Sequence, residues 1–74
     1  MNIIGFAICL ENSGCDDLEL NKIYPVAAAE ANDPKSYLRI IDESEEDYIY
    51  PREMFEIVNL PAQVQSRVLE NIAA

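Results

Sequence analysis

Tyr48-Ile49-Tyr50-Pro51-Arg52-Glu53-Met54-Phe55-Glu56-Ile57-Val58 reads as strand, helical turn and strand in immediate succession. Aromatic and β-branched residues fill its first part. Pro51 has the fixed φ that suits the first position of a short helical turn, and Phe55 to Val58 predicts a last short strand with Phe55 and Ile57 on one face. Upstream, Tyr37 to Ile41 alternates Leu38 and Ile40 with Tyr37, Arg39 and Ile41 and predicts another strand. Between them, Asp42-Glu43-Ser44-Glu45-Glu46-Asp47 is too charged for strand or core, so the pair makes a hairpin with a solvated, charged tip.

Working back from the hairpin, Ala27 to Ala31 has helix-prone composition, but Asn32-Asp33-Pro34 stops it at once, so this segment is a strand end running into a loop. Ile23-Tyr24-Pro25-Val26 begins a strand in which Pro25, with no amide to donate, must take an edge or non-bonded position. Asn21-Lys22 is a tight turn, and Glu11 to Asp17 is a polar loop that turns near Gly14. At the start, Ile4, Phe6, Ile8 and Leu10 alternate with Ile3, Gly5, Ala7 and Cys9, a strand with larger side chains on one face and smaller ones on the other. Downstream, Val64, Val68 and Ile72 recur every four residues beside Leu69, so residues 61–73 form one amphipathic helix with Pro61 near its first turn. A helix of this length is marginal alone. Its stripe must dock on its own sheet, on the same helix of a second copy, or on another protein. The expected organisation is a β domain over residues 1–60 followed by the helix, residues 61–74.

The chain has 74 residues, 14 acidic against 5 basic and no histidine, for a formal charge of -9. Leu, Ile, Val and Phe number 21 of 74, above the roughly one-fifth below which a highly charged chain stays disordered. At this size the chain supports one core. The acidic balance excludes direct binding to a phosphate backbone, which takes clustered Lys and Arg. Without histidine there is no histidine triad and no histidine metal ligand. Two glycines make no phosphate loop. Ser13, Ser36, Ser44 and Ser66 have no base partner, and Lys22 and Lys35 sit in turns, so no enzyme activity, catalytic residue or cofactor is expected. The acidic run lacks the ligand spacing and central glycine of a calcium loop, so no metal site is expected either.

The apolar run Ile3 to Leu10 has no positively charged start and no small-x-small site after it, and reads as a buried strand rather than a leader. Cys9 and Cys15, six residues apart, match neither a redox pair nor half a zinc site. Free thiols, and hence a cytoplasmic protein, are the expectation.

Residues Ala7 to Val58 resemble an SH3-like barrel. Ala7-Ile8-Cys9-Leu10 corresponds to the first strand. Leu18-Glu19-Leu20-Asn21-Lys22-Ile23-Tyr24-Pro25-Val26 corresponds to the diverging turn and second strand, and residues 48–58 to the proline, short helix and final strand. More narrowly, Cys9-x-x-Asn12-x-Gly14, Leu20-x-Lys22-x-Tyr24-x-Val26 and the stretch from Tyr37 through Glu43 to Tyr50-Pro51 and Phe55 resemble small bacterial and phage proteins of this shape. The resemblance implies a mainly β chain: a small five-stranded barrel, a short helical turn before the last strand and a C-terminal α-helix. Peptide-binding members line a groove with aromatic rings. This chain has Cys9 and Glu11 where tyrosines would stand, no tryptophan, and Met54 near the last groove tyrosine. Ordinary proline-motif binding is therefore not expected. The acids of the first loop resemble the loop that pairs with a ligand's Arg or Lys.

The expected function is a non-catalytic protein-interaction module. Its expected contact residues are Glu11, Asp16, Asp17 and Glu19 with Tyr48, Tyr50 and Met54. The partner is another protein with a basic surface, with a homodimer through the C-terminal helix as a further expectation and no membrane or nucleic acid. Tyr48 and Tyr50 share one face of their strand, and alternation leaves open whether that face is buried. The alternative function is an acidic decoy that occupies a basic nucleic-acid-binding surface, since a -9 charge on a small body steers it to cationic sites.

Overall fold

The computed structural model describes residues 2–73, with side chains to residue 71. Ile72, the last member of the helical stripe, lies outside the described side chains. Five strands form, β1 (Ile3–Cys9), β2 (Ile23–Ala27), β3 (Tyr37–Ile41), β4 (Asp47–Pro51) and β5 (Phe55–Val58), followed by α1 (Ala62–Ala73). A 3-10 turn, Arg52–Met54, joins β4 directly to β5. All neighbours are antiparallel in one sheet of order β4-β3-β2-β1-β5. The chain is thus mainly β, and among the described residues no ladder joins β4 to β5, so the sheet is open.

The core forms on the face that carries the small side chains of β1. Ala7 stands opposite Tyr24 and Cys9 opposite Phe55, and all four are buried in one cluster with Leu18, Val26, Leu38, Ile40, Ile41 and Met54. Small residues against large ones let neighbouring strands share a layer at close-packed density. The larger residues of the alternating stretch 3–10 have a different fate. Ile4 is 65% exposed and Leu10 is exposed as well, whereas Phe6 is buried opposite Pro25 and Val58 on the second face.

Pro25 is fully buried in the central strand. It is tolerated because the β2–β3 pairing begins only at Val26, so the missing amide takes no bond from the ladder. The predicted turn at Asn21 adopts a left-handed φ of 64°. Its amide bonds the Cys9 carbonyl at 2.7 Å while the Cys9 amide bonds the Lys22 carbonyl at 2.9 Å, which closes the first loop at its base. α1 starts behind Pro61, whose carbonyl accepts from the Gln65 amide, and lies against β2. Val68 is half-buried there, while Val64 and Leu69 remain exposed.

The acidic segment departs from the sequence expectation. Asp42 is wholly buried and Asp47 opens β4, paired with Ile41. Asp47 is accepted in a strand because the Arg39 guanidinium, one strand over, donates to it at 3.0 Å and also grips Asp33 through two bonds of 2.7 and 2.8 Å. This fork ties the loop before β3 to both strands of the hairpin.

Truncation should separate buried from exposed apolar residues. Phe6→Ala is expected to lower the unfolding free energy by about 3 kcal/mol. Ile57→Ala, at a side chain that is 52% exposed, is expected to cost less than about 1 kcal/mol. Urea denaturation followed by circular dichroism measures both.

Candidate functional site

The first loop is a folded unit. Asn12 donates from its side-chain amide to the Leu18 carbonyl at 3.3 Å and accepts from the Gly14 amide, while its own carbonyl accepts from Cys15 at 2.7 Å. Leu18 enters the core and anchors the loop. Between these fixed points Asp16 and Asp17, and just outside them Glu11 and Glu19, are left exposed.

The hairpin tip is held from inside. The Asp42 carboxyl accepts from the backbone amide and hydroxyl of Ser44 and from the Tyr50 hydroxyl at 2.6 Å. Burial, followed by that hydrogen bond, keeps the Tyr50 phenol well above its ordinary pKa. Glu43 turns the other way. Its carboxylate accepts from the Tyr24 hydroxyl at 2.5 Å and from Lys22 Nζ at 2.6 Å, and its amide donates to the Asp17 carbonyl at 2.9 Å. The Tyr24 hydroxyl in turn accepts from the Glu19 amide at 2.8 Å. Two acidic segments that lie 25 positions apart in the chain at Asp17 and Asp42 therefore meet as one surface, with Asp16, Asp17, Glu19, Glu45 and Glu46 exposed on it.

Partial burial pushes the Glu43 carboxyl up, but the hydrogen bonds from Lys22 and Tyr24 and the Lys22 charge outweigh it and hold Glu43 below its ordinary value. Burial first, then the bond to Glu43, raises the Tyr24 phenol far out of the physiological range. Both phenols act as fixed donors. Cys9 is buried in the core, and burial pushes its thiol up; Cys15 packs half-buried against the same cluster.

The expected contact residues divide. Glu11, Asp16, Asp17 and Glu19 share the first loop and are exposed. Tyr48 is exposed, whereas Tyr50 is half-buried, with its ring 6.0 Å from that of Phe55 and its hydroxyl on Asp42. The two tyrosines of one strand face thus differ in environment, because the face runs from the open tip towards the core. Met54 is buried and offers its backbone carbonyl to the Leu10 and Glu11 amides, so its side chain presents no surface to a partner. Sequence reasoning missed Asp42, Glu43, Lys22 and Tyr24 as organisers. The available signal was Asp42-x-Ser44 directly after the apolar pair Ile40-Ile41, a pattern that favours a side-chain-capped turn.

At the opposite end of the hairpin, Tyr37 stands across from Pro51, and these two with Ser36, Arg52 and Glu53 line a groove of about 440 Å³. Among the described residues no group of three or more Cys, Asp or Glu is placed to hold a metal ion, and no helix is long and apolar enough to cross a membrane. Fold and surface together define a small, mainly β protein whose acidic loops are locked by tyrosine–carboxyl bonds. In comparisons with known proteins, no family model, curated protein or solved structure matches the chain.

Two predictions follow from the network. Tyr24→Phe leaves Glu43 and the Glu19 amide each short of a partner and is expected to cost about 1–2 kcal/mol. Asp42→Ala takes the acceptor from the half-buried Tyr50 hydroxyl and from the amide and hydroxyl of Ser44 and leaves a void where a fully buried carboxyl stood, and is expected to cost more, about 2–4 kcal/mol, in the same urea measurement.

The pH dependence has a definite sign. Glu43 in the folded chain titrates below the value near 4.3 of an unfolded glutamate, so its contacts contribute stability that is present above about pH 4 and lost as the pH falls through the folded value. Lys22→Met should flatten this acid limb when urea midpoints are plotted against pH. A residual slope should persist from Asp33, which the Arg39 hydrogen bonds and the Glu30 amide hold low.

Proposed function

We propose that the chain is a non-catalytic protein-interaction module that binds a basic surface of another protein through its joined acidic loops. The observation that carries this reading is the 2.9 Å bond from the Glu43 amide to the Asp17 carbonyl, which turns two acidic segments into one field. Lys22 is the cation of this region, and it is engaged by Glu43 and Glu19 at 2.6 and 3.6 Å, leaving the outer acids to face solvent. Such a field accelerates encounter with a cationic partner and weakens as salt rises. Tyr48, exposed beside the tip, adds the amphipathic ring that interfaces favour.

The finer fold in this proposal is the SH3-like barrel. The strand order and the 3-10 turn between β4 and β5 support it, and the open ends of the sheet would lie at β4 and β5. The cytoplasm is the proposed compartment, on the spacing of Cys9 and Cys15.

The same acidic surface supports the second reading, a decoy for a basic nucleic-acid-binding site. One experiment separates them. The double variant Asp16→Lys, Asp17→Lys alters two exposed side chains and should keep the circular dichroism spectrum. A partner captured from the native host should bind the variant at least about tenfold more weakly, roughly 1.4 kcal/mol. A partner retained equally by the variant would sink the proposal. Displacement of the captured partner by duplex DNA would select the decoy reading.

A further inference from the structure

The sheet has a second, uncharged surface at the N-terminal half of β1. β1 begins at Ile3, but β5 stops at Val58 opposite Phe6, so Ile3 to Gly5 has β2 on one side and no strand on the other. A groove of about 410 Å³ opens there between the sheet and α1, lined by Ile3, Ile4, Phe6, Val58, Leu60 and Leu69 around Gly5. The other lining side chains, Asn59 and Gln65, are neutral amides. Among the described residues none that lines the groove is charged, in a chain where 19 of 74 residues are. Ile4, 65% exposed, stands at its edge.

Gly5 borders a register shift of β1 between Ile3 and Gly5, and neither space nor φ demands a glycine there. A Cβ built there meets nothing within 4 Å, and its φ is not in the left-handed region. What a glycine does at a strand edge is leave room for another backbone to come close.

We propose that this edge pairs with the same edge of a second copy, Ile3 to Gly5 antiparallel to its twin across a two-fold axis, with each Ile4 seated in the partner's groove against Leu69. Charge argues for a second copy here. Two bodies of -9 repel over most of their surfaces, and a patch without charge is where they meet at least Coulomb cost. Antiparallel pairing of an edge with its own copy is two-fold symmetric, as an isologous interface requires. Leu69 belongs to the exposed part of the helical stripe, so the pairing covers apolar surface that the chain's own sheet leaves open. The acidic first loop contributes nothing to the groove lining, so this proposal stands apart from the reading of that loop.

Sedimentation equilibrium of the full chain tests it. The wild type should approach twice the 8.4 kDa chain mass as its concentration is raised to about 100 μM, and the dimer should tighten as salt screens the repulsion, opposite to the salt response of an acidic surface binding a basic partner. Gly5→Val, a strand-favouring residue placed in open space, and Ile4→Glu, which puts a charge into the neutral patch, should each weaken the dimer at least tenfold while keeping the circular dichroism spectrum. Leu10→Glu, exposed outside the groove, should leave it dimeric. A wild type of single-chain mass at every salt concentration overturns the proposal and leaves the groove to a foreign strand. A dimer unaffected by both Gly5→Val and Ile4→Glu overturns it equally.

Discussion

Asp42 has no solvent-exposed surface, and a buried carboxyl without partners costs several kcal/mol. Its two oxygens meet three donors, from Ser44 twice and from Tyr50. These bonds are the condition on which the hairpin can close over the core. Because Tyr50 is in β4 and Asp42 directly follows β3, satisfying the carboxyl also fixes how the strands of the hairpin leave the sheet. The next residue, Glu43, repeats the arrangement with Tyr24 of β2 and Lys22 of the preceding turn. Two adjacent acids therefore tie together β2, β3, β4 and the first loop through a pair of tyrosine hydroxyls. The network matters most at its buried members, Asp42 and Tyr24, where an unmatched polar group would have no water to turn to.

The apolar core supplies the volume on which this polar frame rests. Tyr24 packs its ring over Ala7 while its hydroxyl reaches the loops, so one side chain belongs to both systems. Phe55 fills the corresponding space over Cys9. A larger residue at position 7 or 9 would push the aromatic ring outward and, at Tyr24, would move the hydroxyl away from Glu43. The small face of β1 is thus required by the large aromatic neighbours that also carry the polar contacts. The second face is covered differently: Phe6 and Pro25 are buried there, and α1 lies against β2, which leaves the end of β1 beyond Val58 as a free edge.

Periodicity made the elements legible. Alternation gave β1 and β3, the proline gave the turn into β5, and four-residue spacing gave α1. What alternation alone does not contain is the identity of the buried face, and β1 shows why: its small residues went inside because Tyr24 and Phe55 stand opposite them, a fact of pairing rather than of local pattern. The candidate surface was legible in its outer acids and illegible in its organisation. Asp42 and Glu43 are indistinguishable by composition from Glu45 and Glu46, yet Asp42 is buried and Glu43 half-buried on its partners while the second pair faces solvent. The difference arises from tyrosines at positions 24 and 50, distant in sequence and close in space. The burial of Met54 was illegible for a related reason, since it is the 3-10 turn that directs it into the core.

This division changes the meaning of the net charge. Asp33 and Asp47 are engaged by Arg39, and Glu43 by Lys22, so part of the acidity is used to hold loops and strands in register. The acids left facing solvent on the joined loops can act at a distance, and they do so from a surface whose shape the internal acids have set. At the N-terminal half of β1 the groove is neutral. Under the two proposals salt acts on these surfaces in opposite senses: screening weakens attraction between the acidic loops and a cationic partner, and relieves repulsion between two copies that meet at their neutral grooves. Ionic strength therefore distinguishes the two surfaces by the sign of its effect.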